Sequence, residues 1–506
     1  MPDVTVKEPR ARLRKHSIQP EALQLIPEAM ARKYIVIPLE VDSDVLHVAM
    51  ANPTDIFALE ALATQSQKRV EPEVASAEQI QDAIDFSYQS YEEIERQISN
   101  ISLPSETAED RIKLGMVTDA PVAQALSLII DEAVKARASD IHLQPQEDKL
   151  RVRYRIDGTL HDMLSLPLAT VIPLISRIKI LANMNIADHH RPQDGQFSIK
   201  TKGRRSIDIR VGTIATVYGE MATLRLLDKS RALMNLTDLG FFPESLARYE
   251  EMLKVPYGMI LISGPTGAGK TTTLYASVNC LDHDGRNIIT VEDPVEYRFK
   301  DINQIQVNPR AGLTFASGLR SILRLDPDVI LVGEIRDAET AQIAVQSALT
   351  GHLVLSSIHA NDAVGVVLRL IDLGIEPFMV SSALIGVVAQ RMVRRTCPDC
   401  AHLVDVPLIE RMTYAKELGE ERSEFLYGSG CKSCANTGYQ GRMGIFEILN
   451  MSDEIRMMLL NGNTSAQLRN QAIKEGMVPL IKDGMLKVKA DATTPAEILR
   501  NAYSVD

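Results

Sequence analysis

The stretch Leu261–Val278 reads LISGPTGAGKTTTLYASV, and it decides the fold of the second half of the chain. Between an apolar run and a helical pattern, the spacing from Gly264 to Thr271 is Gly-x-x-x-x-Gly-Lys-Thr. This spacing predicts a phosphate-binding loop, because glycines let backbone N–H groups close around a phosphate at the positive end of a helix. The residues predicted to contact nucleotide are Gly264, Pro265, Thr266, Gly267, Ala268, Gly269, Lys270, Thr271 and Thr272.

Two side chains of this loop have distinct predicted roles. Lys270 can reach the β and γ phosphates of a nucleoside triphosphate, and the Thr271 hydroxyl can hold Mg²⁺. A glycine-rich turn that fits the spacing by chance is the alternative, and the flanking strand and helix disfavour it. The sequence therefore predicts ATP and Mg²⁺ as ligands.

Four apolar runs, MILIS, NIITVE, VILVG and HLVLSSI, alternate with helical stretches after position 239. Such alternation is typical of an α/β layer with a buried parallel sheet. His359 follows the last of these runs, where it could sense the γ-phosphate. A purely structural histidine is the alternative.

Acidic side chains follow two of the runs. Glu334 stands at the end of the strand Val329–Val332, and Glu296 lies in TVEDPVEY after the strand Asn287–Val291. A carboxylate in either place can position or activate the water that attacks the γ-phosphate. A helix cap or a solvated face is the alternative for each cluster. Asp328 precedes its strand and is expected at the opposite edge of the sheet.

The chain is predicted to divide into three units with two connections. In the middle unit apolar residues alternate with arginines, and Asp157-Gly158 predicts a two-residue hairpin turn. In the first unit Val45–Met50 reads as a strand and residues 77–98 as an amphipathic helix. The predicted boundaries are 1–98 for a small N-terminal domain, 99–118 for a linker, 119–228 for a second domain, 229–238 for a hinge and 239–506 for the ATPase domain.

Four of the five cysteines form two CxxC pairs. Four thiolates suit a closed tetrahedral Zn²⁺ site, so residues 396–447 are predicted to be a zinc-binding subdomain of the ATPase domain, with a structural metal. A disulfide pair is the alternative. The fifth cysteine, Cys280, is expected in the core. The predicted metal ligands are Cys397, Cys400, Cys431 and Cys434.

The composition is that of a globular chain: 506 residues, 45% hydrophobic and 24% charged, with a net charge of −11. The acidic balance disfavours a large nucleic-acid-binding surface. No apolar run reaches the roughly 18 residues of a membrane span, and the first residues lack the apolar segment of a signal peptide. A cytoplasmic protein is expected.

Four boxes resemble those of the type II secretion and type IV pilus assembly ATPases, a family of hexameric motors. They are GPTGAGKTTTLY, TVEDPVEY, LRLDPDVILVGEIRD and TGHLVLSSIHAND, which match the family's Walker A, Asp, Walker B and His boxes in order. The resemblance extends over residues ~120–506 through RASDIHLQP, RYRIDG, RPQDGQ and the cysteine segment. The His box departs from the family, since SSIHAND lacks two threonines that are usual there.

The resemblance implies an α/β fold with a P-loop (RecA-like) ATPase domain, a preceding PAS-like α+β domain and a small N-terminal α+β docking or regulatory domain. It implies that Glu296 activates water, that Glu334 lies near the metal and that His359 is the His-box residue. The two glutamates could share or exchange these roles. The N-terminal domain lacks the Arg-Leu-Gly signature of relatives that bind cyclic-di-GMP, so regulation by that nucleotide is not expected.

The resemblance also points to arginines that act across a subunit interface. Arg210 and Arg225 match family positions at the end of the second domain, and Arg320 and Arg324 lie in the ATPase domain. Such arginines stabilise the charge that develops during phosphoryl transfer. Ordinary surface ion pairs are the alternative.

The partners that the resemblance implies are five further copies in a homohexamer, an inner-membrane platform protein and a cytoplasmic membrane adaptor. The chain would associate peripherally with the membrane through them, without direct nucleic-acid contact, and would power assembly of a type IV pilus or a secretion pseudopilus. The alternatives are a pilus-retraction ATPase, a DNA-uptake or DNA-translocating ATPase, and a scaffold subunit that does not hydrolyse ATP.

Overall fold

The computed structural model describes residues 18–77, 79–81, 83–84, 88, 120–201, 206–227 and 234–502. The predicted linker 99–118, most of the predicted helix 77–98 and positions 229–233 of the predicted hinge lie outside these residues. Contacts divide the chain into two compact units. The first takes in the described residues before position 228 together with Thr396–His402 and Tyr427–Gln440, and the second takes in the other described residues.

The N-terminal part of the first unit is a three-stranded sheet with helices. Its helices are α1 (Pro20–Leu25), α2 (Glu28–Tyr34) and α3 (Ile56–Ser66). Its strands are β1 (Val36–Asp42), β2 (Val45–Met50) and β3 (Arg69–Val74), in the order β1-β2-β3. The predicted strand at positions 45–50 is confirmed. Its apolar side chains pack with those of β1 and α1 in one buried core.

The rest of the first unit contains a six-stranded antiparallel sheet in the order β6-β5-β4-β9-β8-β7. These strands are β4 (Ala138–Pro145), β5 (Lys149–Ile156), β6 (Thr159–Pro167), β7 (Gln193–Lys200), β8 (Ser206–Thr216) and β9 (Gly219–Leu227). Two amphipathic helices, α4 (Ala120–Lys135) and α5 (Val171–Leu181), share the sheet's buried core. The predicted Asp157-Gly158 turn joins β5 to β6, with positive φ at both residues.

The second unit contains a seven-stranded sheet in the order β12-β11-β13-β14-β10-β15-β18. The strands from β10 onward are β10 (Gly258–Ser263), β11 (Ile288–Glu292), β12 (Asn303–Gln306), β13 (Val329–Val332), β14 (Leu353–Ile358), β15 (Leu384–Thr396), β16 (Ala401–Asp405), β17 (Glu424–Gly428) and β18 (Tyr439–Asn450). Strands β10 to β15 pair in parallel, and β10, β11, β13 and β14 are buried along their whole length. This is the predicted α/β layer. Strands β16 and β17 form a separate two-stranded sheet.

Helices follow or connect these strands. They are α6 (Pro243–Lys254), α7 (Lys270–Asn279), α8 (Phe315–Ile322), α9 (Ala338–Leu349), α10 (Ala363–Asp372), α11 (Pro377–Ala383), α12 (Leu408–Leu418), α13 (Asp453–Leu460), α14 (Ser465–Lys474), α15 (Leu480–Lys489) and α16 (Pro495–Ala502). Because β10 lies between β14 and β15 and all three run in one direction, the loops after β10 and β14 leave the sheet at the same edge. That edge carries the candidate site.

Candidate functional site

The phosphate-binding loop runs from the end of β10 to the start of α7. Two of its glycines are required by geometry. A Cβ on Gly264 would lie 2.5 Å from the backbone oxygen of Gln390 on β15, and Gly267 has a φ of 79°. No larger residue fits the first position without moving β15, and the second needs the left-handed backbone that glycine adopts freely.

Lys270 is folded back onto this loop. Its Nζ donates to the Gly264 oxygen at 2.7 Å and lies 3.4 Å from Nδ1 of His359. Burial lowers the pKa of Lys270, and the nearby Glu334 carboxylate opposes that shift. Thr271, next along α7, is exposed, so its hydroxyl is accessible to a metal ion.

Glu334 and His359 meet at the ends of two adjacent strands. The Nε2 of His359 lies 2.7 Å from one carboxylate oxygen of Glu334, and Arg336 donates from Nε to the other at 2.7 Å. Glu334 is 14% exposed and His359 is 51% exposed. The structure therefore brings Lys270, His359 and Glu334 together at one edge of the sheet. Asp328, as predicted, lies at the other end of its strand, where its carboxylate accepts from the Asn287 backbone N–H.

Glu296 lies in the loop after β11 and is half-buried. Its backbone N–H donates to the hydroxyl of Tyr275 on α7, at 3.2 Å. Strand β11 neighbours β13, which ends just before Glu334. Both predicted glutamates thus follow adjacent parallel strands.

Two residues on β15 hold the phosphate-binding loop and the loop that follows His359, and the sequence analysis did not identify them. The buried side chain of Gln390 donates from Nε2 to the Ala268 oxygen at 2.7 Å and accepts from the Thr273 hydroxyl at 2.8 Å. Arg391 donates from Nη2 to the Asn361 oxygen, at 2.7 Å, in the loop that follows His359. The sequence feature that could have indicated them is the polar pair Gln-Arg within the mostly apolar sequence of β15.

Arg210 and Arg225 lie in the first unit, directly opposite each other on β8 and β9. Arg225 donates from Nε to Oδ1 of the buried Asp140 at 3.0 Å, while 62% of its own side chain stays exposed. Within the second unit, Arg320 pairs with Glu339 on the surface at 2.7 Å, and Arg324 donates to the Arg320 oxygen. The side chain of Arg225 is thus both paired with Asp140 and largely exposed.

The four predicted metal ligands lie together, with all four sulfur atoms within 4.8 Å of one another. The separations Cys397–Cys431, Cys400–Cys434 and Cys431–Cys434 are 3.8, 3.9 and 3.7 Å. A tetrahedral Zn²⁺ with bonds of about 2.3 Å requires sulfur atoms about 3.8 Å apart, whereas a disulfide requires about 2.05 Å. The donor set therefore fits Zn²⁺ and not a disulfide pair.

Three of these thiols differ in pKa. The hydrogen bond from the Cys400 thiol, together with the backbone N–H groups of Cys431 and Gly438, lowers the pKa of Cys434 to about 5, whereas burial raises the pKa of Cys397 to about 11 and the bond to Cys434 raises that of Cys400. The zinc assignment therefore rests on the separations of the sulfur atoms. The sequence places these cysteines in the ATPase domain, whereas contacts group their segments with the first unit.

The expectation that Cys280 lies in the core is wrong. Helix α7 ends at Asn279, and Cys280 is its exposed C-cap. The buried residues of α7 end at Val278, two residues before Cys280. An apolar residue type at a helix end thus gave a misleading signal.

Comparison with known proteins identifies the family of this chain. The family described as "Type II/IV secretion system protein" matches residues 116–500, and an MshEN domain matches residues 7–93. The chain is a member of the type II/IV secretion system protein family. Membership makes it an ATP-hydrolysing enzyme and a secretion or pilus ATPase.

Relatives in this family are similar over most of their length. The type IV pilus assembly ATPase PilB of Myxococcus xanthus is 41% identical over 97% of this chain and 88% of its own. The putative type II secretion system protein E of Escherichia coli is 44% identical over 82% of this chain and 84% of its own.

Solved structures share the fold. The ATPase DotB of Legionella pneumophila aligns with a TM-score of 0.56 and 19% identity, over 74% of this chain and 94% of its own. This confirms the predicted α/β ATPase fold. Among the described residues, no helix combines the length and apolar character needed to cross a membrane.

Proposed function

We propose that this chain is a cytoplasmic, hexameric motor that hydrolyses ATP to power assembly of a type IV pilus or a type II secretion pseudopilus. The observation that carries the proposal is the meeting of Lys270, His359 and Glu334 at the carboxyl edge of the parallel sheet. The names of the relatives support the two assembly systems.

The proposed chemistry assigns one task to each side chain. Lys270 binds the β and γ phosphates by exchanging its bond to the Gly264 oxygen for phosphate oxygens. Thr271 would hold Mg²⁺, which when bound offsets the negative charge of the phosphates. His359 contacts the γ-phosphate. Because His359 also contacts Glu334, both side chains respond to the presence of that phosphate.

Glu296 and Glu334 divide the remaining work. We assign Glu296 to the attacking water and Glu334 to the metal. Glu334 is already held by Arg336 and His359, so its carboxylate is oriented and partly neutralised. A carboxylate whose two oxygens already contact neighbouring side chains is less available to a water molecule, which favours Glu296 as the base.

Arg210 and Arg225 are assigned to the nucleotide site of a neighbouring subunit. The positions 229–238 would then act as a hinge, through which ATP binding and hydrolysis change the conformation of the ring. The four cysteines hold a structural Zn²⁺. Work would be delivered to an inner-membrane platform protein, with a cytoplasmic membrane adaptor that docks the N-terminal domain.

A gene-replacement experiment tests the assembly function. A strain that lacks this gene should lose its surface filaments or its type II secretion, and wild-type protein should restore them. Glu334→Gln protein at equal abundance should fail to restore them. Filaments that persist without retraction in the deletion strain would instead indicate a retraction motor, and loss of DNA uptake alone would indicate a DNA-uptake motor.

A further inference from the structure

A buried tyrosine connects the helix that begins the phosphate-binding site to the loop that carries Glu296. Tyr275 lies on α7, downstream of Lys270, and is only 3% exposed. Its hydroxyl donates to the carboxylate of Glu292 and accepts from the backbone N–H of Glu296. One hydroxyl group thus joins α7 to the end of β11 and to the loop that follows it.

The acceptor of this hydroxyl is itself held in place. Glu292 is buried at the end of β11, where its Oε1 accepts from the Thr290 hydroxyl at 2.6 Å and from Nε2 of Gln304 at 3.1 Å. Gln304 also donates to the Tyr297 oxygen at 2.9 Å. A carboxylate with donors on both oxygens has little freedom to turn, so the tyrosine hydroxyl has a fixed partner.

The direction of these bonds is determined by the proton on the phenol. Burial, with the neighbouring Glu292 carboxylate, raises the pKa of Tyr275 far above its ordinary value. The hydroxyl therefore keeps its proton, donates it to Glu292 and presents its lone pairs to the Glu296 N–H. The rings of Tyr297 and Phe299 pack edge-on against Tyr275, with centroids 6.2 and 5.0 Å away, so the loop is also packed around this side chain.

We propose that Tyr275 is a positioning residue for hydrolysis, which fixes the backbone of Glu296 relative to the helix that begins with Lys270 and Thr271. The inference rests on the proposed role of Glu296. A water-activating carboxylate must be placed accurately against the γ-phosphate, since small misplacements cost large factors in rate. Through its hydrogen bonds, Tyr275 makes the position of the Glu296 carboxylate depend on that of the phosphate-binding helix. Tyr275 itself does not contact the nucleotide.

The Tyr275→Phe variant of the full chain tests this directly, because it keeps the ring and removes only the hydroxyl. The variant loses both hydrogen bonds of the hydroxyl, so Glu296 is no longer fixed, and kcat should fall about tenfold with KM and the affinity for ATP changed less than about twofold. Tyr249→Phe is the matched control. Tyr249 is fully buried and its hydroxyl bonds Ser277 on the same helix at 2.6 Å. It should lose comparable thermal stability and keep its kcat.

A second variant guards against misfolding of the first. Thr290→Val removes one donor to Glu292 and keeps the side-chain shape, so kcat should fall about threefold with an unchanged KM. Equal kcat losses in Tyr275→Phe and Tyr249→Phe would overturn the inference, since they would indicate a general effect of buried hydroxyl groups. An unchanged kcat in both Tyr275→Phe and Thr290→Val would also overturn it.

A double variant that combines Tyr275→Phe with Glu296→Gln tests this inference separately from the proposed role of Glu296. If Tyr275 acts through Glu296, the double variant should be no slower than Glu296→Gln alone. Additive losses would overturn the inference. A slow Glu296→Gln beside a fast Tyr275→Phe would overturn the inference but keep the role of Glu296. Wild-type turnover in Glu296→Gln would refute that role, and the inference with it.

Discussion

Glu334 is the residue on which the proposed metal chemistry depends. It accepts from Arg336 and contacts His359, which in turn lies beside the lysine of the phosphate-binding loop. In the proposed chemistry, phosphate oxygens replace the bond between Lys270 and the Gly264 oxygen, so the lysine would change its position relative to His359. The contents of the nucleotide site would in this way affect several side chains at once.

Two substitutions separate binding from hydrolysis at this scale. Lys270→Ala should weaken ATP binding, because it removes the cation that contacts the phosphates. Glu334→Gln keeps the side-chain shape and should bind ATP normally, with turnover lowered by roughly a hundredfold. Nucleotide-binding titration and a phosphate-release assay on the same preparations measure the two effects.

Asp328→Asn is the matched control for Glu334→Gln. Asp328 flanks the same strand at its opposite end, and the asparagine oxygen can still accept from the Asn287 N–H. Its turnover should equal that of the wild type. Normal turnover in Glu334→Gln would remove that residue from the mechanism.

At the scale of elements, strands and their end residues were predictable, and side-chain contacts between distant strands were not. The buried strands β13 and β14 are mostly apolar runs, so their limits and the positions of Glu334 and His359 after them could be predicted from the sequence. The role of Gln390 could not be predicted, because it depends on β15 lying next to β10. Strand order is not encoded in any local sequence pattern. The role of Tyr275 could not be predicted for the same reason, since its partners Glu292 and Glu296 lie at the end of β11 and in the loop after it.

The cysteine segments are also considered at the scale of elements, and zinc binding by them can be measured. Native protein should carry one Zn per chain by mass spectrometry. Cys397→Ser should lose that metal and melt about 5 °C or more below the wild type, because metal binding contributes folding free energy. Cys280→Ser is the control, since it removes an exposed cysteine outside the cluster and should keep the zinc. Metal-free native protein with normal activity would contradict the zinc assignment.

At the scale of the whole molecule, the residues proposed to act in hydrolysis are divided between the two units. The phosphate-binding loop, both glutamates and His359 belong to the second unit, and the paired Arg210 and Arg225 belong to the first. If the arginines act on a neighbouring subunit, hydrolysis requires a ring, and specific activity should rise with protein concentration through the range in which subunits assemble.

Mixed rings test this central claim most directly. Arg225→Ala subunits retain the lysine, Lys270→Ala subunits retain the arginine, and each preparation alone should be nearly inactive. In random equal mixtures about a quarter of the interfaces pair an intact loop with an intact arginine. Once mixing is confirmed, the rate of phosphate release should rise toward about a quarter of the wild-type rate. No recovery in confirmed mixed rings would contradict this claim and return Arg225 to a surface ion pair with Asp140.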